Sequence, residues 1–110
     1  ALPIYSTKAD ILVSDGDELK VGDVTLKFIH TPGHTEGGMC IYVKEAKALF
    51  SGDTLFRQSI GRTDFPGGSY KEIMDSIRKK LFLLPDDTNV FPGHMGMTSI
   101  GFEKENNPFV

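Results

Sequence analysis

The sequence predicts a mixed α/β (α+β) fold. Three observations carry that prediction: two hairpin signatures before residue 51, one amphipathic stretch at helical spacing after residue 69, and a short apolar run near residue 90 that returns the chain to the sheet. At 110 residues, 39% hydrophobic and 25% charged, the chain has the size and composition of one globular domain.

The first hairpin is read from Asp15-Gly16 and Gly22-Asp23, which bound the runs Glu18 to Val21 and Val24 to His30. Alternation in the second run puts Val24, Leu26 and Phe28 on one face. After a loop from Thr31 to Gly37, the runs Met39 to Val43 and Ala48 to Phe50 form a second hairpin across the charged turn Lys44-Glu45-Ala46-Lys47. Met39-Cys40-Ile41-Tyr42-Val43 is apolar on both faces, which predicts a strand covered from both sides. A long polar loop is expected from Gly52 to Gly68. Ser69 then caps a helix, with Glu72 placed to complete a capping box and Pro85 to stop it. Ile73, Met74, Ile77, Leu81 and Leu84 give this helix one apolar stripe. Asn89 to Phe91 reads as a last strand, and Ile100 to Asn106 as a terminal helix weakened by Gly101 and closed by Asn107-Pro108.

A net charge of -3 and a pI near 5.5 give no electrostatic basis for nucleic-acid binding. Arg78-Lys79-Lys80 is the longest basic run. The apolar runs fall far short of the ~20 residues that span a bilayer, so no membrane partner is expected. A lone cysteine, Cys40, makes no internal disulfide and suits a reducing, cytoplasmic setting.

Three loops present a metal-capable side chain beside glycine, each after a predicted strand: Thr31-Pro32-Gly33-His34-Thr35, Ser51-Gly52-Asp53-Thr54 and Phe91-Pro92-Gly93-His94. If those strands are parallel neighbours, their carboxyl ends bring His34, Asp53 and His94 to one edge. Two imidazoles and a carboxylate suit zinc, iron and manganese alike. Taken singly, each loop reads more readily as a turn than as a metal ligand, since Pro-Gly-His and Gly-Asp are common turn sequences, and composition and spacing alone leave metal binding undecided. His30 ends a strand and reads as structural. Arg62 and Asp64 read as orienting either substrate or a neighbouring loop, and Cys40 and Tyr42 read as core.

Four ordered blocks resemble the glyoxalase II-like branch of the metallo-β-lactamase superfamily: Thr31 to Gly38, Leu49 to Phe56, Gly61 to Gly68 and Val90 to His94. The resemblance extends from about Ile11 to Val110, through the tail from Thr98 to Phe109. It implies the C-terminal half of an αββα four-layer sandwich. It also implies that His34 binds a first metal, Asp53 bridges two ions and His94 binds the second, most simply zinc, with iron or manganese as alternatives. The implied activity is hydrolysis of a small thioester or ester by a water activated between the ions.

The same branch carries an H-x-H-x-D-H motif that nothing in residues 1–30 matches, and the chain has three histidines. Residues 1–110 are therefore expected to be a C-terminal portion holding half of the site, with an apolar sheet face left open to self-association. Two other readings remain. One is an iron-dependent persulfide dioxygenase, which the block Gly61-Arg62-Thr63-Asp64-Phe65 also resembles, although Pro92-Gly93-His94 has a proline where that branch usually has alanine. The other is a non-catalytic folded module.

Overall fold

The computed structural model describes residues 14–64, 66–94 and 96–110. β1 (Glu18–Val21) and β2 (Val24–His30) pair antiparallel, with Val21 opposite Val24. Gly22, at φ 61°, makes the turn between them. β3 (Met39–Val43) lies beside β2 and β4 (Ala48–Gly52) beside β3, both antiparallel. The charged connection predicted between β3 and β4 is a single 3₁₀ turn, Lys44–Ala46, closed by Lys47 in the left-handed region.

α1 (Tyr70–Lys79) begins where Ser69 Oγ accepts from the Glu72 amide. Only that half of the predicted capping box forms: the Ser69 amide donates to the Gly33 carbonyl at 2.7 Å, tying the helix start to the loop that carries His34. The helix ends at Lys79, and a 3₁₀ turn over Leu81–Leu83 carries the chain on to Pro85. β7 (Asn89–Pro92) then pairs parallel to β4. α2 (Ile100–Asn106) is capped by Ser99, whose Oγ accepts from the Phe102 amide.

The region expected as one loop from Gly52 to Gly68 instead contains a small hairpin, β5 (Leu55–Phe56) with β6 (Ser59–Ile60), anchored by the fully buried Leu55. A further two-residue strand, β8 (Thr98–Ser99), closes the main sheet in the order β1-β2-β3-β4-β7-β8. The strands that precede His34, Asp53 and His94 are β2, β4 and β7. All three run in one direction, but β3 lies antiparallel between β2 and β4, so only β4 and β7 are the parallel neighbours that the sequence suggested.

One face of the sheet carries the core. Ile29, Cys40, Tyr42, Leu49 and Val90 pack against Ile73, Met74 and Ile77 of α1, Leu81 after it and Ile100 of α2. Each large aliphatic residue fully buried here stabilises the fold by about 1.5–3 kcal/mol. Val24, Leu26 and Phe28 do share a face, and it is the one turned away from α1, because Ile29 is the β2 residue in the core. Phe28, Val43 and Ala48 are buried on that outer side, while Val24 at the start of β2 and the β4 and β7 end of the face stay exposed. There Phe50 and Phe91 stack at 5.5 Å between ring centroids and remain 47% and 38% exposed. Among the described residues no helix is long and apolar enough to cross a membrane.

Candidate metal centre

His34, Asp53 and His94 come together at the carboxyl ends of β2, β4 and β7, from sequence positions up to sixty residues apart. Asp53 stands between the two imidazoles: its Oδ2 is 3.7 Å from His34 Nε2 and its Oδ1 is 3.5 Å from His94 Nε2. His34 is mostly sheltered and His94 mostly exposed.

The backbone explains why the three meet. Gly33, at φ 140°, has no room for a side chain, because a Cβ there would sit 2.3 Å from Ile73 Cβ; the His34 loop is pressed against the first turns of α1. Ser76 Oγ adds a hydrogen bond to the Pro32 carbonyl. Gly61 is tighter still, since a Cβ would fall 1.8 Å from the Asp53 carbonyl oxygen and 3.1 Å from His34 Cβ. The Gly93 amide donates to the Gly52 carbonyl at 2.8 Å, which holds the His94 loop beside the Asp53 loop. Beneath the site, Thr31 Oγ1 is 3.1 Å from Thr54 Oγ1 and 3.3 Å from Cys40 Sγ, so hydroxyls tie the His34 loop to the Asp53 loop. Burial pushes the Cys40 thiol above its ordinary range, partly offset by the Thr31 and Thr54 hydroxyls.

The His34 ring is oriented through its other nitrogen. Nδ1 donates to the Arg62 carbonyl at 2.8 Å, leaving the Nε2 lone pair turned to Asp53. This backbone contact was not legible in the sequence, where Arg62 drew notice only for its side chain. That guanidinium pairs with Asp64, which holds the Asp64 carboxyl below its usual range. His30, read as structural, donates from Nε2 to the Glu36 carbonyl, while its own carbonyl accepts from Lys80.

A cavity of about 400 Å³ opens at the site, lined by His34, Asp53, Phe56, Ser59, Ile60, Arg62 and His94. Phe56, Ser59 and Ile60 belong to the hairpin that sequence reasoning missed. The Phe56 ring lies 6.1 Å from that of His94.

The donor set fits divalent metal. Two ligands held at ~2.0–2.1 Å by a tetrahedral ion stand roughly 3.3–3.4 Å apart; the His34–Asp53 and Asp53–His94 separations of 3.7 and 3.5 Å lie close to that and outside ordinary hydrogen-bonding distance. The three side chains form two pairs sharing Asp53. No group of three or more histidine, cysteine or acidic side chains, among the described residues, gathers around a single point.

A family profile described as the metallo-beta-lactamase superfamily matches residues 2–94. The chain belongs to that superfamily. It is similar to a hydroxyacylglutathione hydrolase, GloC, of Haemophilus influenzae, 45% identical over 87% of the chain and 45% of the relative. A probable metallo-hydrolase, YqgX, of Bacillus subtilis is 39% identical over 99% of the chain and 52% of the relative. The chain thus spans about half the length of the curated relatives it matches. Among solved structures it resembles the B3 metallo-beta-lactamase BLEG-1, with a TM-score of 0.88 and 44% identity over 98% of this chain and 52% of that one. ETHE1 of Myxococcus xanthus gives a TM-score of 0.86 and 38% identity over 94% and 47% of the two chains. TTHA1623, solved in a di-iron-bound form, gives 0.79 and 39% over 89% and 47%. Membership of this superfamily implies a divalent-metal-binding fold, and the neighbours bear out the mixed sheet-and-helix architecture as part of that fold.

Proposed function

We propose that the chain carries one half of a two-metal hydrolase centre, in which His34 binds a first ion, Asp53 bridges and His94 binds a second, and that the whole protein cleaves a small thioester or ester. The observation that carries this reading is the divided Asp53 carboxylate, one oxygen towards each imidazole. The names of the relatives GloC and YqgX support hydrolysis. Bound divalent metal supplies Lewis-acid chemistry, polarising an acyl carbonyl and acidifying water so that no serine or cysteine nucleophile is needed.

The chain's own residues do the rest. Asp53 offers two acceptor oxygens, and His34 is held in the tautomer that leaves Nε2 unprotonated by donation to the Arg62 carbonyl. Phe56 and Ile60 give the cavity an apolar wall for the acyl part, while Ser59 and Arg62 border it with polar groups. Zinc is the metal we assign, with iron as the alternative that the di-iron neighbour supports. One imidazole and one carboxylate oxygen would be this chain's contribution to each ion, and further ligands would come from a complementary segment or chain. The lone buried Cys40 accords with a reducing cytoplasmic setting.

A persulfide dioxygenase-like oxidoreductase is the second reading, favoured by the likeness to ETHE1. The two are separated by product: hydrolysis of a hydroxyacyl-glutathione thioester consumes no oxygen, whereas persulfide oxidation does. The first measurement is metal per chain by elemental analysis, on the wild type and on Asp53→Ala. Near-stoichiometric metal lost in the variant supports the centre and licenses both assays on the whole protein. Metal in neither would leave this chain, by itself, a non-catalytic folded module.

A further inference from the structure

α2 carries a carboxylate that the site as described does not use. Glu103 is fully buried, and both its oxygens are engaged: Oε1 accepts from the Gln58 amide at 2.8 Å and from Asn107 Nδ2 at 2.9 Å, and Oε2 accepts from Thr98 Oγ1 at 2.5 Å. These three donors offset the cost of burying it.

What the donors belong to gives the cluster its meaning. Gln58 is the turn residue of the β5–β6 hairpin and sits at φ 55°, a conformation that a glutamine adopts at a cost. That hairpin supplies Phe56, Ser59 and Ile60 to the cavity. Asn107 Nδ2 also donates to the Ser59 carbonyl at 3.1 Å, and the Arg57 guanidinium lies 5.4 Å above the Phe102 ring, so α2 grips the hairpin at three consecutive residues. Thr98 is the first residue of β8, where the chain re-enters the sheet after the His94 loop and pairs with Val90. A single carboxylate therefore fastens the two segments that flank His94: the hairpin whose Phe56 ring stands beside it, and the strand that closes its loop.

We propose that Glu103 is a positioning residue, which sets His94 and the Phe56 wall of the cavity relative to one another by holding Gln58 and Thr98. Its functional meaning rests on the hydrolase reading; its geometry does not. The test therefore uses no turnover and no metal. In the metal-free full chain, the imidazole resonances of His34 and His94 and the amide exchange of Gln58 are followed by NMR in the wild type, Glu103→Ala, Glu103→Gln and Thr98→Val. Ile77→Ala serves as a core control that destabilises the fold without touching the cluster. Gln retains an acceptor for Gln58 and Asn107, and its amide can donate to the Thr98 hydroxyl once that group turns, so the proposal expects rescue.

The expected result is a shift of His94 but not His34 in Glu103→Ala, with at least tenfold faster Gln58 exchange relative to neighbouring amides. Glu103→Gln should resemble the wild type. Thr98→Val should move His94 in the same direction, which keeps the test decisive if Glu103→Ala fails to fold. Ile77→Ala should shift neither imidazole selectively. The proposal is overturned if Glu103→Ala, or Thr98→Val in its place, leaves His94 where Ile77→Ala leaves it. It is also overturned if Gln fails to restore the wild-type spectrum. A whole protein that later proves inactive on thioesters would count against the hydrolase reading and leave these resonances unaltered.

Discussion

Asp53 and Gly61 touch: the Asp53 carbonyl oxygen occupies the space where any larger residue at 61 would place its Cβ, at 1.8 Å. The main chain of the central carboxylate is thus held by the end of β6, and His34 Cβ closes the same gap at 3.1 Å. Gly61→Ala must push one of these apart. The expected cost is about 1–3 kcal/mol or more of stability, which for a domain of this size lowers the Tm by roughly 4–8 °C per kcal/mol. Thermal unfolding by circular dichroism measures it. An unchanged Tm would mean that the hairpin yields freely.

Thr31 and Thr54 are the next joint. Both hydroxyls are buried, and Thr31 also meets Cys40. Thr31→Val removes one partner and leaves Thr54 facing an apolar group, for a predicted loss of about 1–3 kcal/mol in urea denaturation. Thr54→Val should cost a similar amount, and the double variant less than the sum of the two, since the residues share one interaction.

Cys40 gives a prediction in pH. Burial raises its thiol pKa in the folded state, so the unfolded chain ionises first as pH climbs. The corresponding stability is complete below the ordinary thiol range and declines as pH rises through the raised folded value. Cys40→Ala should flatten that alkaline decline. Native protein should also resist iodoacetamide at neutral pH and react in denaturant; rapid labelling of the folded chain would contradict the burial.

These expectations concern residues of unequal legibility in the sequence. α1 announced itself through Ser69 and a stripe from Ile73 to Leu81, the first hairpin through Gly22-Asp23 and the alternation of its second run, and the second through two apolar runs about the charged turn Lys44-Glu45-Ala46-Lys47, because those signals are local. The β5–β6 hairpin did not. Its strands are two residues each, and its turn, Arg57-Gln58, lacks the glycine or asparagine that normally marks a left-handed position. In that conformation the Gln58 amide donates to Glu103, 45 residues away. For the same reason, the cavity wall at Phe56 and Ile60 was invisible, while His34, Asp53 and His94 stood out beside their glycines. The parallel pairing of β4 with β7 joins Ala48 to Asn89, a separation that no short-range pattern encodes.

The stacked Phe50–Phe91 pair predicts association of the chain with itself. Two half-exposed aromatic rings on adjacent strands form an apolar patch, which a second copy can cover by symmetry. Sedimentation of the wild type should reveal a concentration-dependent dimer, and Phe50→Ser with Phe91→Ser should return it to a monomer. A wild type that stays monomeric at high concentration would refute this.

β2, β4 and β7 all run the same way. Each strand delivers one loop to the same edge, and each loop hangs from a different part of the chain, so the edge exists only when distant segments are joined. Local order in any one of them is not enough. An ion captured there would act as a sensor of cooperativity: its release on titration with denaturant should coincide with the loss of the whole sheet, and a release that ran ahead of it would expose a partly unzipped intermediate with β4 and β7 already parted.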